Sequence, residues 1–119
     1  WDVSPASFYD LLRRLGRMGK PILVTENGTS MTDDVHRRRF IEGHLQAMGR
    51  AIQQGAPIIG YCYWSLLDNF EWADGYGPRF GMGGVAYATQ ARRVRDSARR
   101  YAEVCKTNRL SLDASPRSV

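Results

Sequence analysis

The 119-residue sequence contains few cysteines and no long apolar run. Its two cysteines, Cys62 and Cys105, do not stand in a spacing typical of metal ligands, so the sequence supports neither a disulfide framework nor a metal site. We interpret both as buried free thiols in a reducing compartment. No apolar stretch approaches the roughly 18 residues that a bilayer-spanning helix needs. No signal peptide is visible, which favours a cytoplasmic location, and the first residue is Trp1 rather than methionine, so we expect the chain to start inside a longer protein.

The charge balance is basic but lacks a nucleic-acid signature. Lysine and arginine number 17 against 12 aspartates and glutamates, a formal net charge of +5. A basic balance is common in proteins that bind nucleic acids. Here, however, the arginines are clustered on predicted helices that also carry an apolar face, without interleaved stacking aromatics. The clusters are Arg13–Arg14, Arg37–Arg39, Arg92–Arg93 and Arg99–Arg100. We interpret them as solvated helix surfaces, and we expect neither a nucleic-acid nor a membrane partner.

The first half of the sequence predicts a helix, a strand and a second helix. Ser4–Pro5 is a typical helix start, and apolar residues then recur at helical spacing. Residues 22–25 are apolar and too few for a helix, which favours a buried strand of a parallel sheet. A second helix is predicted from a Thr32 or Asp33 cap to about Gln54. Its apolar stripe consists of Ile41, Leu45, Met48 and Ile52.

The second half predicts another strand, a long loop and a last helix. The strand spans residues 58–64 and, together with the first strand and the helix between them, predicts a right-handed parallel βαβ unit. A glycine- and aromatic-rich loop at 66–84 follows, and the polar tail from Asn108 onward is expected to fray. The last helix is predicted to carry on one side Val94, Ala98, Tyr101 and Cys105. Two parallel strands cannot close a sheet, so we expect exposed apolar surface and a piece of a larger α/β protein.

A carboxylate follows the first predicted strand directly. Glu26 stands there within Val-Thr-Glu-Asn-Gly, and active sites of parallel α/β folds gather at the carboxyl ends of strands. A charged group beside a buried strand needs either partners or a chemical task. The structural alternative is a glutamate that caps the loop or pairs with an arginine.

The second strand runs into a segment in which aromatic and polar residues alternate. The aromatic residues are Trp64, Phe70, Trp72, Tyr76 and Phe80, and the polar ones are Asp68, Asn69, Glu71 and Asp74. Aromatic faces stack on sugar rings and carboxylates accept hydrogen bonds from sugar hydroxyls, so this mixture is typical of a carbohydrate pocket. Scattered aromatics can equally be core residues, as we expect for Phe70 and Tyr61.

These motifs together resemble glycoside hydrolase family 1, the β-glucosidase family. Residues 21–28, Pro-Ile-Leu-Val-Thr-Glu-Asn-Gly, are similar to its nucleophile motif, and residues 61–72, Tyr-Cys-Tyr-Trp-Ser-Leu-Leu-Asp-Asn-Phe-Glu-Trp, are similar to its second signature. The resemblance covers nearly the whole chain in the correct order. It implies that residues 1–119 are the C-terminal part, about two and a half βα units, of one α/β domain, a (β/α)8 TIM barrel, with 108–119 as a frayed tail. It implies no cofactor and no metal.

The resemblance also implies roles for five residues. Glu26 would be the nucleophile that forms a glycosyl–enzyme intermediate, and Glu71 would bind the hydroxyls at positions 4 and 6 of the sugar. Trp64 and Trp72 would pack on and hydrogen-bond the non-reducing sugar, and Phe80 would help to wall the pocket. The family's acid/base lies in a Thr-x-Asn-Glu-Pro motif that this sequence lacks. Retaining glycosidases need two carboxyl groups about 5–5.5 Å apart, so we expect the chain alone to be inactive.

The implied substrate is an unphosphorylated β-glucoside or oligosaccharide, because a carboxylate at Glu71 would repel a 6-phosphate. The implied partner is the remaining N-terminal part of the barrel. Two alternatives stay open, a non-catalytic sugar-binding or structural remnant and a thioglycosidase. The sequence also departs from the family pattern. Gly83–Gly84 weakens a stretch that is usually an apolar strand, and Arg95 stands where a lysine is usual.

Overall fold

The computed structural model describes residues 2–111 and consists of a parallel βαβ unit, two further helices and a small antiparallel hairpin. A short 3-10 helix, Trp72–Asp74, interrupts the long loop after the second strand. The elements are α1 (Pro5–Gly16), β1 (Ile22–Asn27), α2 (Asp34–Gln53), β2 (Ile58–Tyr63), β3 (Gly83–Ala86), β4 (Ala91–Val94) and α3 (Asp96–Thr107).

The predicted βαβ unit is confirmed. β1 and β2 are parallel and adjacent, and Ile22 pairs with Ile58 at one end while Asn27 pairs with Tyr63 at the other. Because β1 extends to Asn27, Glu26 lies within the strand rather than after it. Both strands therefore end at the same edge of the sheet. The polar residues predicted for the site lie in the last positions of these strands or come directly after them.

The helix caps follow the sequence signals. Ser4 accepts a hydrogen bond from the backbone N–H of Ser7 at 3.2 Å, and Pro5 is the first residue of α1. The cap of α2 is Asp33, whose carboxylate accepts from the N–H of Val35 at 2.8 Å. These side chains satisfy N–H groups that have no partner inside the helix.

Two apolar clusters hold the layers together. The first lies between α2 and β2, with Tyr101 of α3 packed against it, and contains Phe40, Ile41, Leu45 and Tyr63. The second joins α1 to the end of α2 and contains Leu12, Ala51 and Ala56. The prediction that Ile52 is buried was wrong, since its side chain is 45% exposed. Ala51 takes the place against α1, and the next residue points about 100° further around the helix.

The hairpin of β3 and β4 was not predicted. Gly83 and Gly84 belong to β3, so a strand forms here despite its two glycines. A Cβ at Gly83 would lie 2.7 Å from the Leu67 side chain, and glycine therefore permits a close approach of two chain segments. Val94 lies in β4 and not on α3, which begins at Asp96.

The sheet exposes apolar surface, as expected for two strands alone. Ile59 is 71% exposed, and Leu23 is also exposed, so the strands are covered by helices on one face only. Both cysteines are exposed, which contradicts their interpretation as buried thiols. Cys62 alternates with Tyr61 and Tyr63, whose rings pack toward the helices, and so it points to the uncovered face.

One arginine of the predicted solvated surfaces is instead fully buried. Arg37 donates through Nη1 to Asp34 at 2.8 Å and through Nη2 to the carbonyls of Arg79 and Met31. It joins α2 to the loops on either side of the site.

In residues 2–111, no helix is long and apolar enough to cross a bilayer.

Candidate active site

An open cleft of about 570 Å³ lies at the carboxyl ends of β1 and β2. The structure brings all five predicted site residues together around this cleft, with Asn27 and Gly28 beside them. The lining residues are Glu26, Asn27, Gly28, Trp64, Glu71, Trp72 and Phe80. Glu26 and Glu71, 45 positions apart in the sequence, therefore line the same cleft, as the topology of a parallel sheet requires.

Glu26 presents its carboxylate to the cleft. Its side chain is exposed, and within residues 2–111 no donor hydrogen-bonds to it and no cation pairs with it. The structural alternative for Glu26, a loop cap or an arginine pair, therefore has no contact to support it in the described part of the chain. A carboxylate in this state can accept hydrogen bonds from a ligand or attack an electrophilic carbon.

Trp64 links the ends of the two strands. Its backbone N–H donates to the carbonyl of Asn27 at 3.1 Å, and its indole Nε1 donates to Oε1 of Glu71 at 3.3 Å. The peptide bond between Trp64 and Ser65 is cis. Gly28 passes so close to this segment that a Cβ would lie 1.7 Å from the carbonyl oxygen of Trp64. Only glycine fits there, which ties the chain after Glu26 to the indole that lines the cleft.

A tight turn presents Glu71 and Trp72. The N–H of Glu71 donates to the carbonyl of Gly75 at 2.7 Å, and the N–H of Asp74 donates back to the carbonyl of Glu71 at 2.9 Å. Trp72 begins the 3-10 helix with a φ of 49° and has a side chain that is 83% exposed. Its large aromatic face is therefore free to contact a ligand in the cleft.

Phe80 forms a buried wall of the cleft. It is only 4% exposed, and its carbonyl accepts from the Tyr63 hydroxyl at 3.1 Å and from the N–H of Ser65 at 3.4 Å. These two contacts anchor the wall to β2 and the residues that follow it. Phe70, expected in the core, is instead half exposed and packs on Tyr76, with the ring centroids 5.4 Å apart.

Asp68 does not reach the cleft, although it lies between Trp64 and Glu71 in the sequence. Its side chain is 1% exposed and accepts two hydrogen bonds from Arg95, at 2.9 Å each, and one from Arg79 at 3.2 Å. The N–H groups of Gly81 and Val85 also donate to it, at 2.9 and 3.2 Å. Burial raises the pKa of Asp68, but the Arg95 hydrogen bonds and the two N–H groups outweigh it, so the net pKa is lowered.

Sequence reasoning missed the contribution of Asn27 and Gly28. Both residues directly follow Glu26 in the sequence, which could have indicated them. Because the first strand was predicted to end at residue 25, they were assigned to a loop. It also missed Arg95 as the main partner of Asp68, because 27 positions separate the two residues. Within residues 2–111, no group of three or more His, Cys, Asp and Glu side chains could hold a metal ion.

The chain is similar to known glycosidases over nearly all its length. The sequence model of the family described as Glycosyl hydrolase family 1 matches residues 1–110. Beta-glucosidase A of Thermotoga maritima is 40% identical over an alignment that covers 92% of this chain and 27% of the relative. Among solved structures, the beta-glycosidase from Pyrococcus horikoshii superposes with a TM-score of 0.86 at 45% identity, covering 89% of this chain and 25% of that chain.

A second structure adds a bound ligand. The beta-glucosidase from Thermotoga maritima in complex with glucoimidazole superposes with a TM-score of 0.89 at 39% identity, covering 92% of this chain and 28% of that chain. The chain thus spans about a quarter of the length of these relatives. Their fold is a (β/α)8 barrel, and the α/β unit described above is a part of such a barrel. The family match over residues 1–110 and these identities show that the chain belongs to glycosyl hydrolase family 1.

Proposed function

We propose that the chain is the C-terminal part of a retaining β-glucosidase that cleaves terminal non-reducing β-D-glucosyl residues. The observation that carries this proposal is the gathering of Glu26, Glu71 and three aromatic side chains around one cleft at the carboxyl ends of two parallel strands. The relatives, which are beta-glucosidases and a beta-glycosidase, support the same reaction.

Glu26 is the proposed nucleophile. Its carboxylate oxygen attacks C1 of the sugar while the bond from C1 to the leaving oxygen breaks, and that oxygen takes a proton from an acid elsewhere in the barrel. Water then attacks C1 and gives its proton to the group that acted as the acid, which now acts as a base; the ester bond to Glu26 breaks, and the carboxylate is regenerated. An exposed carboxylate that has no ionic partner among residues 2–111 suits this role, because no bond to those residues must be broken before it attacks.

Glu71 and the aromatic residues are the proposed sugar-binding groups. Glu71 has one oxygen bonded to the Trp64 indole, which fixes its orientation and leaves the other oxygen for the sugar hydroxyls at positions 4 and 6. Trp72 offers a face for stacking on the ring, and Phe80 closes one side of the pocket. A negative carboxylate at this point disfavours a 6-phosphorylated sugar.

The 119-residue chain alone is proposed to be inactive. Glu71 is the only second carboxylate among the residues that line the cleft, and it is committed to the Trp64 indole on the sugar-binding side. The proton for the leaving oxygen must therefore come from the part of the barrel that these residues do not include. A purified chain that turned over a chromogenic β-glucoside would contradict this statement.

The test is a chimaera in which residues 1–110 replace the matching segment of Thermotoga maritima Beta-glucosidase A. We expect this chimaera to hydrolyse 4-nitrophenyl β-glucoside, and Glu26→Gln to lower kcat roughly 10⁴-fold or more. The matched control is Glu103→Gln, an exposed glutamate on α3, which should leave kcat unchanged. Trapping with a 2-fluoro-β-glucoside should place the label on the peptide that contains Glu26.

The outcomes separate the enzyme from the alternative. A folded chimaera that binds glucoimidazole but neither turns over the glucoside nor takes up the label would favour a non-catalytic sugar-binding remnant. A label on any other residue would overturn the role of Glu26.

A further inference from the structure

The strand that carries Glu26 is irregular at this residue. Thr25 and Glu26 of β1 together oppose the single residue Cys62 of β2, which is the arrangement of a β-bulge. In a regular strand, adjacent side chains point to opposite faces. Here the side chains of Thr25 and Glu26 are both exposed. Bulges bend a strand and turn a side chain to a new direction, so the direction of the Glu26 carboxylate depends on this bulge.

Tyr61 spans the bulge from one end to the other. It pairs with Val24 just before the bulge, and its hydroxyl donates to the side-chain oxygen of Asn27, just after the bulge, at 2.8 Å. The carbonyl of Asn27 also accepts from the N–H of Trp64 at 3.1 Å. Asn27 is therefore held by both its side chain and its backbone, immediately next to Glu26.

Tyr61 is itself held rigidly. Its ring contacts Phe8 and Tyr101 edge-on, with centroids 6.5 and 6.1 Å away, and its carbonyl accepts from the Tyr101 hydroxyl at 3.0 Å. Burial raises the pKa of Tyr61 far above its usual value, so the hydroxyl stays protonated and remains a donor at neutral pH. No other donor in residues 2–111 bonds to the side-chain oxygen of Asn27.

We infer that Tyr61 is a positioning residue for the reaction, since its hydroxyl, acting through Asn27, fixes the bulge that directs Glu26 at the sugar. The inference rests on the proposed function, because it presumes that Glu26 attacks the substrate. Tyr61 does not touch the cleft, and its effect on catalysis passes through the backbone of β1.

The test compares two tyrosines in the chimaera. Tyr61→Phe removes only the hydroxyl that bonds to Asn27, and Tyr9→Phe removes a hydroxyl that bonds to the side chain of Gln54, a residue that does not line the cleft. We expect Tyr61→Phe to lower kcat about 10- to 100-fold with KM changed less than about threefold, because a misdirected nucleophile slows attack without removing sugar contacts. Tyr9→Phe should change kcat less than about threefold, because its hydroxyl contacts neither Tyr61 nor Asn27.

A second variant tests the same bond from its other end. Asn27→Ala should lower kcat as much as Tyr61→Phe. The double variant should be no slower than Asn27→Ala alone, since both changes remove the same hydrogen bond. Asn27→Ala also carries the test if Tyr61→Phe does not fold. Equal losses in Tyr61→Phe and Tyr9→Phe, losses confined to KM, or additive losses in the double variant would overturn the inference. These results are distinct from failure of the proposed function, which would appear as full activity in Glu26→Gln.

Discussion

The loop that follows β2 carries two carboxylates, Asp68 and Glu71, which differ in their burial and in the number of hydrogen bonds that they accept. Asp68 is buried and accepts five hydrogen bonds, from two arginines and two backbone N–H groups. Glu71 is half-buried and accepts one, from the Trp64 indole at 3.3 Å. Glu26, across the cleft, accepts none from residues 2–111.

The difference shows which acidic residues hold the fold and which are available to a ligand. A carboxylate whose lone pairs are all used cannot accept a sugar hydroxyl without losing a bond that it already has. The bonds to Asp68 join the segment after β2 to β3 and to the residues that precede α3. Asp68 therefore stabilises the loop without lining the cleft, whereas the side chains of Trp64 and Glu71 face the cleft.

The largest effect on stability is expected at Asp68. Asp68→Asn keeps the size of the side chain but turns an NH2 group toward donors and leaves Arg79 and Arg95 without a counter-charge. We expect the chimaera to lose about 3–5 kcal/mol of unfolding free energy, measured by denaturant titration.

The control for this variant is Asp74→Asn in the same loop. Asp74 is exposed, so its replacement should change the unfolding free energy by less than about 0.5 kcal/mol. Equal losses in the two variants would remove the distinction between a structural and an available carboxylate.

Much of the fold follows from local signals in the sequence. Ser4–Pro5, the alternation of apolar strand and amphipathic helix, and Gly55, with a φ of 88°, set element bounds within one or two residues. The hairpin of β3 and β4 was not predicted, because its glycines are disfavoured in strands. They are tolerated here by the close approach of Leu67, a contact between distant residues that no local pattern contains.

The site was predictable to a similar degree. Strand ends and residue types pointed to Glu26 and to the aromatic and polar segment after β2. The family resemblance singled out Trp64, Glu71, Trp72 and Phe80 within that segment, and the structure gathers all five around one cleft. The separation of Asp68 from Glu71 was not predictable, because both are acidic residues beside aromatics. The two arginines and two N–H groups that bond to Asp68 come from residues 79–95, and no such set of donors reaches Glu71 within residues 2–111.

Acid should weaken the fold through Asp68. Its pKa is lowered in the folded state, so the stability that it contributes is fully present above the unfolded value of about 3.9 and is lost as the pH falls through the folded pKa. Asp34 acts in the same direction. Burial raises its pKa, but bonds from Ser97 and Arg37 outweigh that and lower it.

The measurement is the melting temperature of the chimaera between about pH 6 and pH 3, a window that spans the ordinary carboxylate pKa values. The parent should lose more stability across this window than Asp68→Asn, in which the titrating group is absent. An identical decrease in both proteins would show that the buried carboxylate does not control the acid response.

The smallest effect on stability, and a selective one on catalysis, is expected at Glu71. Glu71→Gln removes one charge and keeps the shape, and since the side chain has a single long hydrogen bond, the unfolding free energy should change by less than about 0.5 kcal/mol. Hydrogen bonds to a charged acceptor exceed those to a neutral one by about 1 kcal/mol or more, so kcat/KM for the β-glucoside should fall about tenfold.

A β-xyloside sharpens this last test, because xylose lacks the 6-hydroxyl that Glu71 is proposed to bind. With one of two hydrogen bonds already absent, the loss in Glu71→Gln should shrink to about threefold. Equal losses for the two substrates would mean that the carboxylate does not contact the 6-hydroxyl and that its negative charge acts on the cleft as a whole. A large loss of stability in Glu71→Gln would instead place Glu71 with Asp68 among the residues that hold the loop.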